Sequence, residues 1–194
     1  DGRFTVFTFP ASRVDDWASN TLFGGAGNDT LWATALARDT VMEGGPGQDT
    51  LLGSAYNDTY RFAPGDGRDT LTEVAPAAGR QDTLLWGGGI TPADIRLQRV
   101  GNDLVLGHAM GQDQITVTGW FAGVGQQIER IQFEDGAVWD PAHVAAHLTV
   151  PATGTPGADS LTGTEGDDLL FGEAGNDIIL GKGGSAIKKL GSNA

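Results

Sequence analysis

The stretch GTPGADSLTGTEGDDLLFGEAGNDIIL, residues 154–180, contains one nine-residue pattern three times in succession. Each unit begins with glycine, has a second glycine three positions later, an aspartate two positions after that, and an apolar residue two positions further on. A fixed short period is typical of stacked repeats, in which each unit buries its apolar side chain only against its neighbours. A disordered glycine-rich linker is the alternative interpretation, but a linker would not keep leucine or isoleucine at one phase of its glycines.

The same pattern recurs in the first third of the chain with more substitutions. Two poorer units lie in this region: residues 15–23 have Asn20 in place of the aspartate, and the unit before Gly44 has Asp39 displaced by one residue. The better units are GGAGNDTLW at 24–32, GGPGQDTLL at 44–52, GSAYNDTYR at 53–61 and PGDGRDTLT at 64–72. The N-terminal array is therefore longer than the C-terminal one but less regular.

Each unit combines a turn with a short strand. The glycine-rich part can form a tight turn with positive φ, whereas the apolar part is too short to form a strand without stacked neighbours. The turns, and with them the aspartates, then stack along the edges, where unneutralised carboxylates repel each other. Calcium relieves this repulsion because it accepts roughly six to eight oxygen ligands, and a glycine turn leaves its carbonyl oxygens open. The apolar positions expected to line the narrow core are Leu31, Leu51, Tyr60 and Leu71.

The composition limits the classes of partner. The chain of 194 residues has 25 acidic and 12 basic side chains, which gives a formal net charge of −13. This charge disfavours nucleic acid and anionic membranes and favours cations. The sequence contains no cysteine, so it has neither disulfides nor thiolate metal sites. No apolar run has the length of a transmembrane helix, and we expect no membrane insertion by this segment.

The units resemble the RTX nonapeptide repeats, haemolysin-type calcium-binding repeats with the consensus Gly-Gly-x-Gly-x-Asp-x-apolar-x. The resemblance implies a parallel β-roll in which two units form one coil and calcium lies between stacked turns of the same edge. It implies two ions on an edge that contains three aspartates, and weak or incomplete binding on the opposite edge. The three aspartates of the stronger edge are Asp29, Asp49 and Asp69, and the weaker edge has Asn20, Asp39 and Asp58.

In the second array, the same resemblance pairs Asp159 with Asp177 in one site and gives Asp168 half a site at most. The candidate calcium ligands are the aspartates and turn glycines of both arrays. They are Gly24, Gly25, Gly27, Asp29, Gly44, Gly45, Gly47, Asp49, Asp58, Gly65, Gly67, Asp69, Gly154, Gly157, Asp159, Gly163, Gly166, Asp168, Gly172, Gly175 and Asp177.

The middle of the chain, residues 81–140, alternates apolar and polar residues around turn signals at Gly101-Asn102 and Asp135-Gly136, which predicts an antiparallel sheet. The stretch DTLLWGGGITPADIRLQRVGNDLVL, with WFAGVGQQIERIQFEDGAVWD, resembles the haemolysin-type calcium-binding-related domain that often interrupts RTX arrays. The resemblance implies that this region closes or extends a roll. Five aromatic residues are expected to cover the apolar end of the roll, with a carbohydrate platform as the alternative. They are Trp86, Trp120, Phe121, Phe133 and Trp139.

The segment DPAHVAAHL, residues 140–148, predicts a short helix with Asp140 as its cap and Pro141 in its first turn. This places His143 and His147 on one face, a spacing that can chelate zinc. The segment lacks the glutamate of a His-Glu-x-x-His motif and a third ligand nearby, so a surface helix is the favoured interpretation.

We predict an all-β chain in which parallel β-roll arrays flank an antiparallel capping region. A degenerate N-terminal segment and the first roll occupy residues 1–80, and the related region with its helix occupies 81–148. A threonine- and proline-rich linker spans 149–153. The second array spans 154–185, truncated because its fourth unit lacks the aspartate, and residues 186–194 form a tail.

The sequence contains no motif of a catalytic site. It has no Gly-x-Ser-x-Gly elbow, no phosphate-binding loop and no cysteine nucleophile, so we expect no enzyme activity in this segment. The resemblance implies a calcium-dependent folding module within a larger bacterial protein, exported by type I secretion to the extracellular space or cell surface. The alternative is an adhesive or structural segment whose aromatic region binds a glycan or a protein partner.

Overall fold

A computed structural model describes most of both arrays and nearly all of the region between them. Residues 1–19, expected as the degenerate N-terminal segment, lie outside the described residues, as does the candidate ligand Gly166. The described ranges are 20–33, 39–74, 79–109, 111–148, 151–163, 168–182 and 186–190.

Short strands are the main regular secondary structure of the described chain. The first roll and its extension contain β1 (Asn20–Phe23), β2 (Thr30–Trp32), β3 (Thr40–Glu43), β4 (Thr50–Leu52), β5 (Asp58–Phe62), β6 (Arg68–Thr72), β7 (Thr83–Trp86), β8 (Ile95–Val100), β9 (Asp103–His108), β10 (Gln114–Val117), β11 (Arg130–Phe133) and β12 (Val138–Trp139). One α-helix follows, α1 (Pro141–His147). The second roll contains β13 (Pro151–Thr153), β14 (Ser160–Thr162), β15 (Asp168–Glu173), β16 (Ile178–Leu180) and β17 (Ala186–Leu190).

The first roll consists of two sheets between which the chain alternates. One sheet has the strand order β1-β3-β5-β7-β11-β12, and the other has the order β2-β4-β6-β10-β9-β8. The pairs among β1, β3, β5, β7 and β11 are parallel, as are those among β2, β4, β6 and β10. Two repeat units thus form one coil, which confirms the predicted parallel β-roll.

The apolar position of each repeat forms a continuous row in each sheet. Leu31, Leu51 and Leu71 lie in register across three neighbouring strands, and Val117 continues the row in β10. In the opposite sheet Tyr60 lies in register with the apolar residues of β3 and β7. All of these side chains are buried, as predicted for the core. Burial of each large apolar side chain contributes about 1.5–3 kcal/mol, so the rows hold the coils together.

The middle region extends the roll before it closes it. The hairpin β8–β9 turns at Gly101, whose φ is 62°, and the hairpin β11–β12 turns near Gly136, whose φ is 90°. Both hairpin turns were predicted. The antiparallel pairing predicted for this region is confirmed for β8–β9, β9–β10 and β11–β12, while β7, β10 and β11 pair in parallel with strands of the roll. The last strands of an open roll present unpaired backbone groups, and the next segments of the chain satisfy them.

The aromatic residues of this region lie inside the structure. Trp86 packs edge-to-face against Phe62, with ring centroids 4.8 Å apart, and Phe133 packs against Trp139 in the same way at 4.7 Å. These side chains and Trp120 are buried, and Phe121 packs partly buried against the same core. Their burial supports the capping interpretation, since a carbohydrate platform requires exposed ring faces.

Helix α1 has the predicted cap. The Asp140 carboxylate accepts a hydrogen bond from the backbone N of His143 at 2.7 Å, and Pro141 occupies the first turn. The rings of His143 and His147 stack with centroids 3.9 Å apart, and His143 also stacks on Trp139 at 5.0 Å. Within the described chain, neither histidine belongs to a group of three potential metal ligands. No described helix is long and apolar enough to cross a membrane.

The second roll is longer than predicted. Its strands form a sheet of order β13-β15-β17 and a pair β14–β16, all parallel. Residues 151–153 were assigned to a linker and residues 186–190 to a tail, but both are strands that pair with β15. Neither segment carries the glycine-aspartate pattern. Each lies beside an edge of β15, and pairing there satisfies backbone groups that the edge would leave open.

Candidate metal centre

The turns of the first roll stack along two edges. The first edge consists of residues 24–29, 44–49 and 63–67, which lead into β2, β4 and β6. The second edge consists of residues 33–39, 53–57 and 73–82, which lead into β3, β5 and β7, and of which 34–38 and 75–78 are not described.

On the first edge the aspartates form a ladder. The backbone N of Asp29 donates to Asp49 Oδ1 at 2.8 Å, and the backbone N of Asp49 donates to Asp69 Oδ1 at 2.8 Å. All three residues are buried. The second carboxylate oxygen, Oδ2, of each is also buried and has no hydrogen-bond partner among the described residues. The edge therefore presents a row of buried acceptor oxygens that no described residue satisfies.

The glycines of this edge bring backbone oxygens into the same row. A Cβ atom at Gly47 would lie 1.9 Å from the carbonyl oxygen of Gly27, and one at Gly67 would lie 2.2 Å from that of Gly47. A Cβ atom at Gly44 would lie 2.2 Å from Asp49 Oδ2. Side chains at these positions would fill the space between successive turns, so only glycine keeps these oxygens open.

The electrostatics of the first edge show an excess of negative charge. Burial raises the pKa of Asp69 to about 8, the backbone hydrogen bond from Asp49 opposes this rise, and the nearby charges of Asp49, Asp66 and Asp113 add to it. Burial likewise raises the pKa of Asp49, with a further contribution from the charge of Asp29. Buried like charges of this kind are stable only when a proton or a cation neutralises them.

Two acidic residues of this edge were missed in the sequence analysis. Asp113 lies before β10 and accepts hydrogen bonds from the backbone N of Gly65 at 3.1 Å and of Gly67 at 3.0 Å. Asp66 lies between those glycines and is buried. A signal for Asp113 was present, since GQDQI at 111–115 repeats the Gly-x-Asp-x-apolar half of the unit. Asp66 occupies a variable position of the repeat, which carries no such signal.

The donor set of the first edge fits calcium. It consists of carboxylate and carbonyl oxygens only, which are the ligands that calcium prefers. The buried Oδ2 atoms without partners and the space that a Cβ would fill are the observations that support this fit. Bound calcium would supply positive charge and an oxygen-coordinating centre between successive turns. The residues that would hold it are Asp29, Asp49 and Asp69, with the carbonyl oxygens of the turn glycines.

The predicted residues of the second edge do not form such a row. Asn20 lies in register with Thr40, and the backbone N of Asn20 donates to the carbonyl oxygen of Asp39 at 3.1 Å. Asp58 also lies in register with Thr40, so Asp39 is one residue out of step, as its sequence position indicated. Asp58 Oδ2 accepts a hydrogen bond from the backbone N of Ser54 at 2.6 Å. Its two carboxylate oxygens therefore both have partners within the chain.

Further along the second edge, a buried charged cluster was missed by the sequence analysis. The backbone N of Asp58 donates to Asp82 Oδ1 at 2.8 Å, so the two aspartates stack. Carboxylate oxygens of Asp58, Glu73 and Asp82 lie within 4.8 Å of one another, and Arg80 lies among them. The sequence Asp82-Thr83-Leu84 repeats the Asp-x-apolar part of the unit, which could have identified Asp82. Nothing in the repeat pattern indicates Glu73 or Arg80.

In the second roll, the turns that contain Asp159 and Asp177 stack with the geometry of the first edge. The backbone N of Asp159 donates to Asp177 Oδ1 at 3.1 Å, and Asp177 Oδ2 is buried without a hydrogen-bond partner among the described residues. A Cβ atom at Gly175 would lie 2.4 Å from the carbonyl oxygen of Gly157. On the other edge, Asp168 lies in register with Ala186, which offers no carboxylate.

The comparisons with known proteins agree with this geometry. The family model "RTX calcium-binding nonapeptide repeat (4 copies)" matches residues 16–35, 43–59 and 153–186. The model "Haemolysin-type calcium binding protein related domain" matches residues 103–143. No curated protein matches the chain significantly.

Among solved structures, the extracellular lipase LipA from Serratia marcescens is similar to this chain with a TM-score of 0.43 and 20% sequence identity. The similarity covers 87% of this chain and 28% of the lipase chain. This chain therefore spans less than a third of that protein. The two family models and the roll described above lead to one assignment. The chain contains RTX calcium-binding nonapeptide repeats in a β-roll, and these repeats flank a haemolysin-type calcium binding protein related domain.

Proposed function

We propose that this segment is a calcium-dependent folding module of a larger secreted bacterial protein. In this proposal the chain leaves the cell unfolded by type I secretion and folds in the extracellular medium or at the cell surface. The observation that carries the proposal is the row of buried Oδ2 atoms of Asp29, Asp49 and Asp69, which have no hydrogen-bond partner among the described residues. Such a row opposes folding until a cation is present.

The free energy of folding then depends on the calcium concentration. A ligand that binds only the folded chain stabilises it by RT ln(1 + [L]/Kd), about 1.4 kcal/mol per ion at tenfold excess over Kd. Calcium sites of extracellular modules have Kd values on the order of 0.1–1 mM. A chain with sites of this strength stays open at the low calcium concentration of the cytosol and folds outside.

We place catalysis, if the whole protein has any, outside this segment. The buried carboxylates stack on one another along the two edges and are used in the ladders and ion pairs of the roll. They are therefore already occupied by a structural role, and no acid–base pair is needed to account for them.

The test is circular dichroism during a calcium titration after complete chelation, with magnesium at the same concentrations as a control. We expect calcium to restore β structure and magnesium to do so poorly, because magnesium requires a stricter geometry and retains its water ligands. Asp49→Asn should raise the calcium concentration needed at the midpoint. Asp135→Asn, in the exposed turn before β12, serves as a matched control without effect. A chain that is equally folded with and without calcium would refute the proposal.

A further inference from the structure

The second edge contains a buried cation of its own. Arg80 has a side chain that is 2% exposed. Its Nε lies 2.7 Å from Asp82 Oδ2, and its Nη1 lies 3.0 Å from Glu73 Oε2. The same Nη1 donates a hydrogen bond to the carbonyl oxygen of Ser54 at 2.7 Å. The guanidinium thus connects the turn at 53–57 with the next turn of the edge, at 73–82.

The surroundings of Arg80 are strongly acidic. Carboxylate oxygens of Asp58, Glu73 and Asp82 lie within 4.8 Å of one another, and all three residues are buried. Burial raises the pKa of Glu73 to about 8, with a further contribution from the charge of Asp82, while the Tyr60 hydroxyl and Arg80 oppose this rise. The stacked turns of this edge therefore face the same problem of unneutralised carboxylates as those of the first edge.

The two edges differ in what satisfies the second carboxylate oxygen. On the first edge, Oδ2 of Asp49 is buried and has no hydrogen-bond partner among the described residues. On the second edge, Oδ2 of Asp58 accepts a hydrogen bond from the backbone N of Ser54. Oδ2 of Asp82 also has no hydrogen bond of regular geometry among the described residues, but it is ion-paired with Arg80 Nε at 2.7 Å. The second edge has a cation where the first edge has none.

The space around this cation is closely packed. The Tyr60 hydroxyl donates a hydrogen bond to Glu73 Oε1, which holds that carboxylate against Arg80. A Cβ atom at Gly53 would lie 2.2 Å from the Tyr60 hydroxyl oxygen and 2.8 Å from Glu73 Oε2. Protein atoms rather than an open cradle therefore lie between the turns at this step.

We propose that the guanidinium of Arg80 is a resident cation that replaces a calcium ion between the turns at 53–57 and 73–82. The chain itself then supplies a positive charge that offsets part of the charge of the three carboxylates at this step, and the step forms without calcium. The weak calcium binding expected for this edge follows, because a covalently attached cation already contacts two of its carboxylates. The inference rests on the proposed function in one respect, namely that calcium is the cation of the first edge with which Arg80 is compared.

The experiment compares the full chain with Arg80→Ala and with Arg61→Ala, a control at the exposed arginine of β5. The number of calcium ions bound per folded chain is measured by calorimetric titration and by metal analysis after gel filtration. We expect Arg80→Ala to bind one ion more than the wild type, because the three carboxylates lose their cation. We expect Arg61→Ala to match the wild type. An unchanged number in folded Arg80→Ala would overturn the proposal.

A second variant decides the result if Arg80→Ala does not fold at any calcium concentration. The triple variant Glu73→Gln, Arg80→Met and Asp82→Asn removes the cation together with both carboxylates that it contacts. Recovered folding, measured by circular dichroism, would support neutralisation as the role of Arg80, whereas a chain that stays unfolded would overturn it. A wild-type chain that binds no calcium would refute the proposed function but not the role of Arg80. In that case, one ion bound by Arg80→Ala and none by the wild type would still identify Arg80 as the resident cation.

Discussion

The two edges of the first roll handle the same electrostatic problem in different ways. On the first edge, Asp29, Asp49 and Asp69 stack and leave one buried oxygen each without a partner. On the second edge, Asp58 and Asp82 stack in the same manner, but their oxygens are paired with Ser54 and Arg80. A repeat that departs from its consensus is therefore not simply a weaker site, because other residues of the chain can take over the neutralisation.

This difference indicates that calcium controls one side of the roll more than the other. The buried apolar rows along both sheets help to hold the coils together, and they contain no candidate calcium ligand. The second edge adds its own ion pairs to this core. On the first edge no ion pair involves Asp29, Asp49 or Asp69 among the described residues, and His108 lies 3.7 Å from Asp113 only, so we expect its turns to be the part of the roll that calcium orders.

The largest effect that we expect is on the pH dependence of the calcium-free chain. The pKa is raised from 3.8 to about 8 for Asp69, from 4.5 to about 8 for Glu73 and from 3.8 to about 7 for Asp82, in each case mainly by burial. A carboxyl whose pKa is raised on folding stabilises the folded state below its unfolded pKa, and this contribution is lost as the pH rises through the folded pKa. The free energy of unfolding should therefore fall between about pH 4 and pH 8.

Burial sets the direction of this effect, and charged neighbours modify its size. Asp69 faces the carboxylates of Asp49, Asp66 and Asp113, whereas Glu73 and Asp82 also face the cation Arg80. Circular dichroism of the chain in chelator from pH 5 to 8.5 measures the effect as a folded fraction that falls as the pH rises. Asp69→Asn should remove only the part that belongs to the first edge. Stability that rises with pH in chelator would contradict the pKa shifts.

The next largest effect separates Asp58→Ala from Asp49→Ala. Asp58→Ala leaves the backbone N–H groups of Ser54 and Thr40 without their acceptor, at a cost of about 1–3 kcal/mol for each. We expect this loss to be the same in calcium and in chelator. Asp49→Ala should instead destabilise the chain more in calcium than in chelator. In chelator the substitution also removes a carboxylate that repels Asp29, and this gain offsets part of the loss.

Urea unfolding of both variants, with and without calcium, distinguishes these outcomes. If calcium changes the loss of stability equally in the two variants, calcium stabilises both edges to the same extent. A larger calcium dependence for Asp58→Ala would reverse the assignment of the edges.

The sequence predicted the parts of the fold that its period determines. The resemblance to RTX repeats implied that alternate turns share an edge, and the stack of Asp29, Asp49 and Asp69 followed from that arrangement and their order in the chain. The core positions followed in the same way, since Leu31 and Leu71 hold the same phase of the repeat and are both buried.

The sequence did not predict contacts that depend on where distant segments return to the roll. Asp113 reaches the first edge only because β10 pairs with β6, after an excursion through two antiparallel strands. Arg80 contacts both Glu73 and the carbonyl oxygen of Ser54, and no repeat position encodes these contacts. Residues 151–153 were assigned to a linker because they lack the repeat pattern. They form strand β13 by pairing with the edge of β15, which the local sequence does not indicate.

A smaller effect is expected from the glycines. Gly47→Ala would place a Cβ atom 1.9 Å from the carbonyl oxygen of Gly27, and the resulting shift should cost about 1–3 kcal/mol and weaken calcium binding. Gly53→Ala would displace Tyr60 and Glu73 on the second edge and should destabilise the chain equally in chelator. Gly107→Ala, with no atom within 4 Å of its added Cβ, is the control. Calorimetric calcium titration and thermal unfolding measure both quantities. A Gly47→Ala chain with wild-type calcium affinity would show that the cradle of the first edge is not the binding site.

The smallest effect should appear in amide hydrogen exchange when calcium is reduced from tenfold excess over Kd to trace levels. At this excess each ion contributes about 1.4 kcal/mol, which corresponds to roughly tenfold faster exchange per ion lost. We expect this change for first-edge amides such as that of Gly47, which donates to the carbonyl oxygen of Asp66. The amide of Asp58, which donates to Asp82 on the second edge, should change less, because Arg80 remains in place after calcium is removed. Equal loss of protection at both amides would show that the roll opens as one unit and that the resident cation does not hold its edge independently.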